Sequence, residues 1–538
     1  MLRSRTSLLL VILASLSVAV FADRPDPQSE PGLDQQIPNY ILDGVVINSV
    51  TGKPIGRALV QLDLSQKVSV LTGPDGRFHF DHVPSRLGRI EVQKPGFFSE
   101  EQLADEPATF TVDVATNQAQ VIIKIVPEGI IYGRIVDDKS EPLGGLPVTA
   151  IQVEIIDGEK HFQSVEPELT NAEGGFRIFG LKPGVYYLMA GRVSNPATDT
   201  SQSTDREDYA PTYYPGVSEP SSATAMKVAP GDRIAADFRL EKKRFYRISG
   251  ILSGYPLGVR PTVDLISFDF AEHRLRSRVD PATGYFVAPW VAPGSYIIRA
   301  SAGGIDGQQL VASQLLDVVA DFASVHLTLT KTLTIPVLIH PELAMRPNSR
   351  QIVNGSPAMR VVISLDETTL KYRARMDAVL KDNDFFIRAV VPGTYRARIT
   401  PNGQWYVDSA RCGSLDLLRQ NLVISSADSS QPIEIVIRDD FATLSGKVSF
   451  NSSPTRGVLL LIPKRHDLLA RTVTVDETGH FENVQIPPGE YNILAFNNIR
   501  DLEYRNPDEM HQYSDEAQSL TLFPGTESKV NLELQQRK

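Results

Sequence analysis

The side chains best suited to metal or acid–base chemistry are nine histidines: His79, His82, His161, His273, His326, His340, His466, His480 and His511. A hydrolytic zinc site needs His and Glu at close spacing plus a distant ligand, leaving one position open for water. No His has Glu three residues later, and no H-E-x-x-H, G-x-S-x-G, P-loop or G-x-G-x-x-G phrase occurs. His79 and His82 flank Asp81, but residues three apart on a strand face opposite sides and do not share an ion readily. Asp382-Asn383-Asp384 has the look of a calcium-loop fragment without its Gly and distal Glu, so it reads as a turn. Cys412 is the single thiol, expected as a small buried hydrophobe. The sequence therefore nominates no catalytic, metal or cofactor residue and implies no cofactor.

Binding chemistry has two candidates. A saccharide site pairs exposed ring faces, which lie on sugar C–H groups, with carboxylates or amides that bond hydroxyls. Tyr209, Tyr213 and Tyr214 sit in a Pro-rich loop over 205–222 that begins Asp205-Arg206-Glu207-Asp208. Trp405, Tyr406 and Asp408 sit in Asn402-Gly403-Gln404-Trp405-Tyr406-Val407-Asp408. The competing reading is that these aromatics tuck against a neighbouring domain or cover a sheet edge, and it is the preferred one.

What would position such loops is a repeated frame. A turn with Gly or Asp, a Phe, and then Pro-Gly-x-Tyr recurs along the chain. The copies run through Gly174, Phe176, Pro183, Gly184 and Tyr186; Gly284, Phe286, Pro293, Gly294 and Tyr296; Phe386, Pro392, Gly393 and Tyr395; and Gly479, Phe481, Pro488, Gly489 and Tyr491. A first, decayed copy keeps Gly76 and Phe78 ahead of Val83-Pro84. Phe falls at 78, 176, 286, 386 and 481, a period near 100. That is too long for a solenoid unit and fits tandem domains with separate cores.

The D-G step supplies positive φ for a hairpin turn, and Phe opens an inward-facing strand. Pro-Gly is expected to make a type II turn with Gly left-handed, and the buried Tyr to pin the corner by its hydroxyl. Units open on Gly44-Val45-Val46, Gly133-Arg134-Ile135, Gly250-Ile251-Leu252 and Gly446-Lys447-Val448. About seven short strands per unit predict an all-β chain of about five tandem Greek-key-like β-sandwiches. Gly and Pro number 37 each, a load that suits such turns. The best helix candidate is Cys412–Gln420.

The expected division is a signal peptide over 1–22, a disordered leader over 23–38, and sandwiches over 39–126, 127–241, 242–332, 333–440 and 441–538. Arg3 and Arg5 followed by apolar Leu8–Val20 mark a secretory signal, with cleavage expected after Ala22. The apolar run is too short for a spanning helix, and no later run reaches that length. The chain carries −10, with 54 basic against 64 acidic residues, which argues against a general nucleic-acid binder. A single Cys excludes an intramolecular disulfide scaffold. The linkers Val126-Pro127-Glu128, Glu241-Lys242-Lys243-Arg244 and Arg438-Asp439-Asp440 are short, so pivoting is restricted.

The string from Gly44 to Phe97, with Thr51-Gly52-Lys53-Pro54, Asp75-Gly76-Arg77-Phe78 and Val83-Pro84, resembles the carboxypeptidase regulatory-like domain family. These are transthyretin-like β-sandwiches, similar in look to B-type repeats of Gram-positive adhesins. Tyr209–Gly216 resembles a segment of exported bacterial proteins that carry such domains. The resemblance implies a structural, spacing or binding role without chemistry. The peptidase for which the family is named is absent from this chain. Two functions follow as expectations. One is an exported structural or protein-interaction module, periplasmic or secreted, with an envelope or extracellular protein as partner. The other is a carbohydrate-binding protein, with a polysaccharide as partner. A cryptic hydrolase or peptidase accessory subunit ranks third.

Overall fold

The computed structural model describes residues 40–536, apart from 64–66, 84–86, 104–110, 114–120, 196–205, 268–272, 305–307, 344–359, 368–374, 382–383, 403–404, 426–430 and 465–469. The expected signal peptide and leader, Asp382-Asn383, Gly403-Gln404 and His466 lie outside the described residues. The chain divides into two compact units, residues 1–94 with 99–125, and residues 95–98 with 126–538.

One strand plan is built five times. In each sandwich the first strand pairs antiparallel with the fourth and parallel with the last, forming one sheet. The other sheet has the spatial order third, second, fifth, sixth. In sandwich one these sheets are Arg77–Val83 with Tyr40–Asn48 and Val121–Pro127, and Lys67–Leu71 with Leu59–Asp63, Leu87–Gln93 and Thr111–Asp113. The second unit holds four large apolar cores, one per sandwich: core two through Ile131–Leu240, core three through Val193–Leu329, core four through Ile335–Ile437 and core five through Ala442–Leu534. In sandwich four the third strand, Arg375–Lys381, pairs with both the second and the fourth, joining the two sheets along one edge.

The repeated phrase sits at the crossings between sheets. Gly76, Gly174, Gly284 and Gly479 hold φ of 72–75°, the left-handed conformation that favours glycine. In sandwiches one, two and five this turn carries the chain from the third strand of one sheet to the fourth strand of the other, rather than closing a hairpin. The Phe that follows lies beside an opening glycine in four registers: Gly44↔Phe78, Gly133↔Phe176, Gly250↔Phe286 and Gly446↔Phe481. A Cβ on Gly446 would stand 2.8 Å from the Phe481 ring and 2.0 Å from the Val530 carbonyl. The glycine therefore lets the ring and the last strand close in from opposite sides. Sandwich four has Pro336 opposite Phe386 instead.

The Pro-Gly-x-Tyr corner differs from the expected type II turn. Gly184 and Gly393 are not among the positive-φ residues, and Gly294 and Gly489 sit at 149° and 151°, far from the left-handed helical region. The reason is that Gly already begins the fifth strand, which belongs to the other sheet: Gly184–Ala190, Gly294–Gly303, Gly393–Asn402 and Gly489–Phe496. The Tyr hydroxyl holds this crossing. It donates to the carbonyl four residues back in every full copy: Tyr186 to Lys182 at 2.8 Å, Tyr296 to Ala292 at 3.0 Å, Tyr395 to Val391 at 2.6 Å and Tyr491 to Pro487 at 2.8 Å. Burial lifts the Tyr186 phenol well above its ordinary pKa, with Glu154 adding to the effect.

The expected helix over Cys412–Gln420 is a hairpin. Tyr406–Cys412 turns at Gly413, φ 59°, into the two-residue strand Leu415–Asp416, and Leu417 and Leu418 drop into core four. Tertiary burial of these leucines overrides a weak local helix signal.

Candidate functional site

Nominated aromatics and chain linkers meet in the connection between the fifth and sixth strands. In sandwich three these strands stay paired as far as Gly303↔Gln309, and in sandwiches two, four and five the connection is an insertion.

In sandwich two the insertion spans 191–225. Tyr213 pairs with Met189 and is 1% exposed, forming a small outer core with Met189 and Ile151. Tyr214 packs edge-on against Phe238, with centroids 6.0 Å apart. Tyr209 is half-buried, with the Lys242 ammonium 5.7 Å from its ring centre. Its strand, Arg206–Tyr209, pairs along Lys242–Phe245, so the expected Glu241–Arg244 linker is itself a bonded strand. Ser194-Asn195 pairs with Val291-Trp290 of sandwich three, and Val193 enters core three. The insertion is a joint between two sandwiches. Tyr213 offers no open ring face to a sugar, because the outer face of its own sheet needs covering.

In sandwich four the insertion adds Tyr406–Cys412 alongside the last strand, Ile433–Arg438. Tyr406 is 2% exposed and stacks edge-on with Phe441 at 5.2 Å. Its hydroxyl donates to Asp440 Oδ1 at 2.7 Å, and Arg438 grips the same carboxylate through Nε at 3.1 Å and Nη2 at 2.6 Å. Burial pushes the Asp440 carboxyl up, but the Arg438 and Tyr406 hydrogen bonds outweigh it and hold its pKa below the usual range. Trp405 is half-buried against core four, and Asp408 stays exposed. The Arg438-Asp439-Asp440 linker is thus fixed by side chains, and Tyr406, like Tyr213, has no ring face open to solvent.

A third joint has no counterpart in the sequence reading. The Asp157-Gly158 turn between Pro147–Ile156 and Glu159–Ser164 of sandwich two rests on the 497–517 insertion of sandwich five. Tyr504 lies flat on Gly158, where a Cβ would come within 2.4 Å of the ring. The Arg505 backbone N–H donates to the Gly158 carbonyl at 3.2 Å, and its Nη1 to Glu159 Oε1 at 2.8 Å. Arg398 of sandwich four approaches the same oxygen at 3.6 Å, and Lys160 meets Glu503 at 2.6 Å. Three sandwiches therefore converge on Glu159. Burial, then Asp157, raises the Tyr504 phenol pKa. No local pattern could reveal a pair 346 residues apart in sequence.

Of the remaining candidates, His79 Nδ1 is 2.8 Å from Asp43 Oδ1 on the neighbouring strand, and the His82 side chain lies outside the described residues. Cys412 is half-buried, its thiol donating to the Gln431 carbonyl at 3.6 Å. Among the described residues no three His, Cys, Asp or Glu side chains gather as a metal-holding group, and no helix is long and apolar enough to cross a membrane.

No protein-family model and no curated protein matches the chain. Solved structures with some similarity include GBS52, the minor pilin of Streptococcus agalactiae, at 16% identity over 38% of this chain and 96% of that one, with a TM-score of 0.20. The shaft pilin spaA of Lactobacillus rhamnosus GG gives 11% identity over 38% and 97%, with a TM-score of 0.21. BcpA, the major pilin subunit of Bacillus cereus, gives 11% over 58% and 99%, with a TM-score of 0.12. None of the three superimposes closely on this chain.

Proposed function

We propose that the chain is an exported, non-catalytic array of five β-sandwiches that serves as a structural and protein-interaction module in the cell envelope or outside the cell. The observation that supports this best is where its polar and aromatic side chains are spent. Tyr209, Tyr406, Asp440, Glu159 and Arg505 tie one sandwich or linker to the next. Sandwiches two to five, so jointed, hold surfaces at fixed spacing, which is what a presenting or spacing module needs. The resemblance to carboxypeptidase regulatory-like domains points the same way, and the N-terminal apolar run supplies the route out of the cytoplasm.

The test is expression from the native start in a bacterial host, followed by fractionation, N-terminal sequencing and cross-linking in the envelope fraction. The expected result is a product beginning at Asp23 outside the cytoplasm, cross-linked to a specific envelope protein. A cytoplasmic product retaining Met1, or turnover of peptide or glycoside substrates that is lost on changing one His or Asp, would overturn the reading.

A further inference from the structure

The first sheet of sandwich two turns an unusual outer face to solvent. Along Gly129–Val136, Ile131 and Ile135 point into the core, so Tyr132 and Arg134 point outward. Tyr132 stands beside Arg177 on one neighbouring strand and Ala235 on the other. Phe176 and Ile178 face inward, leaving Phe179 outward; Tyr132 is 41% exposed and Phe179 58%. On the other flank Ala236 and Phe238 are buried, so Arg233 and Arg239 join the outer face. Asp237 on this face is engaged by the Arg134 backbone N–H at 2.6 Å, and the Glu128 carboxylate lies at its edge, beside Gly180. Arg134 Nε donates to the Glu173 carbonyl and Arg239 Nη2 to Ser140 Oγ, neutral partners that orient these cations without cancelling them. Among the described residues none of the four arginines forms an ion pair.

The frame alone does not require this. Counted from the paired Gly and Phe, Tyr132 and Arg177 correspond to Ser445 and Glu482 in sandwich five, and no aromatic replaces Phe179. The patch is basic on a chain of net charge −10, so it is a local field and not a general one.

We propose that this face docks a strand of acidic polysaccharide whose sugars carry carboxylates. Ring faces of Tyr132 and Phe179 lie against sugar C–H groups, while the guanidinium forks of Arg177 and Arg233 take carboxylates two N–H at a time. Arg233 to Arg239 spans about 20 Å at roughly 3.3 Å per residue, an open strip that suits an extended polymer. A stable protein partner would call for about 20–30 residues a side, far more than this narrow strip holds. The proposal concerns a surface that the structural role does not use, so either can fail alone.

The test is affinity electrophoresis of the full mature chain in gels containing alginate, with dextran as a neutral sugar polymer and polyglutamate as carboxylate without sugar. Alginate should retard the protein at low salt, with the effect falling about tenfold in 0.5 M salt as exposed charges are screened. Dextran and polyglutamate should retard it little. The pair R177Q/R233Q should abolish retardation, and Y132A/F179A should weaken it about tenfold, as loss of two stacking contacts predicts, with melting temperatures unchanged. If either pair unfolds, the single variants Arg177→Gln and Phe179→Leu carry the same comparison. Absence of alginate binding, equal retardation by polyglutamate, or retardation unchanged in folded variants would each overturn the proposal.

Discussion

The second and fifth sandwiches share a frame and differ in what they insert at one point of it. In both, the opening glycine faces a Phe, and a Tyr hydroxyl closes the corner on the carbonyl four residues back. In both, the insertion after the fifth strand buries the outer face of the second sheet. In sandwich two Tyr213 covers Ile151 and Met189. In sandwich five Leu502, Tyr504 and Tyr513 cover Leu460, Leu494 and Phe496. The insertions then diverge. The first reaches into sandwich three through Val193 and a strand pair, and the second receives the Gly158 turn of sandwich two. The frame gives each domain its own core, while the insertions decide which domains touch.

The comparison breaks most sharply at the frame. Gly446→Val should cost sandwich five about 4 kcal/mol or more, since the new Cβ would overlap the Val530 carbonyl and no flexible atom can yield. Gly303→Ala, where nothing lies within 4 Å, should change calorimetric stability by no more than about 0.5 kcal/mol. Next in size is Tyr491→Phe, which strands the Pro487 carbonyl in a buried corner and should cost about 1–2 kcal/mol in denaturant unfolding.

At the joints the expected effect is on shape more than on stability. Gly158→Val should push Tyr504 away and separate sandwiches two and five, raising the radius of gyration in small-angle scattering. Loss of the partly exposed Glu159–Arg505 pair should contribute about 1 kcal/mol or less. A valine variant with an unchanged scattering profile would refute the joint.

The smallest effect concerns acid. Asp280 and Asp476 accept backbone N–H groups at equivalent turns, from Ala282 and from His480 and Thr478, and these bonds lower their pKa values. A lowered carboxyl contributes stability that is present above the ordinary Asp pKa and is lost as pH falls through the lowered one. Sandwich two has Asn171 in this place, accepting from Glu173 and Gly175, and its turn should not respond. Carboxyl titration by NMR should place both aspartates below the usual Asp range. Normal titration of either would remove the distinction.

The frame was legible because its signals are local. A positive-φ glycine, a Phe two residues on and a Pro-Gly-x-Tyr corner are satisfied within about ten residues, and the same spacing returns near every 100. The Pro-Gly turn type was misread because the sequence does not say that the fourth and fifth strands lie in different sheets. The hairpin at Gly413 was misread because Leu417 and Leu418 owe their conformation to core four.

The candidate binding loops followed the same division. Their aromatic content could be read directly, but composition does not distinguish a ring offered to a sugar from one that seals a linker. Sequence by itself determined the all-β class, the repeat and the corner chemistry, because each depends on backbone preferences and alternation within a short segment. Only the tertiary structure decided that Tyr213 and Tyr406 are buried, that Glu159 meets Arg505, and that Tyr132 and Phe179 are left open. Those outcomes depend on which surfaces remain uncovered after distant segments have packed.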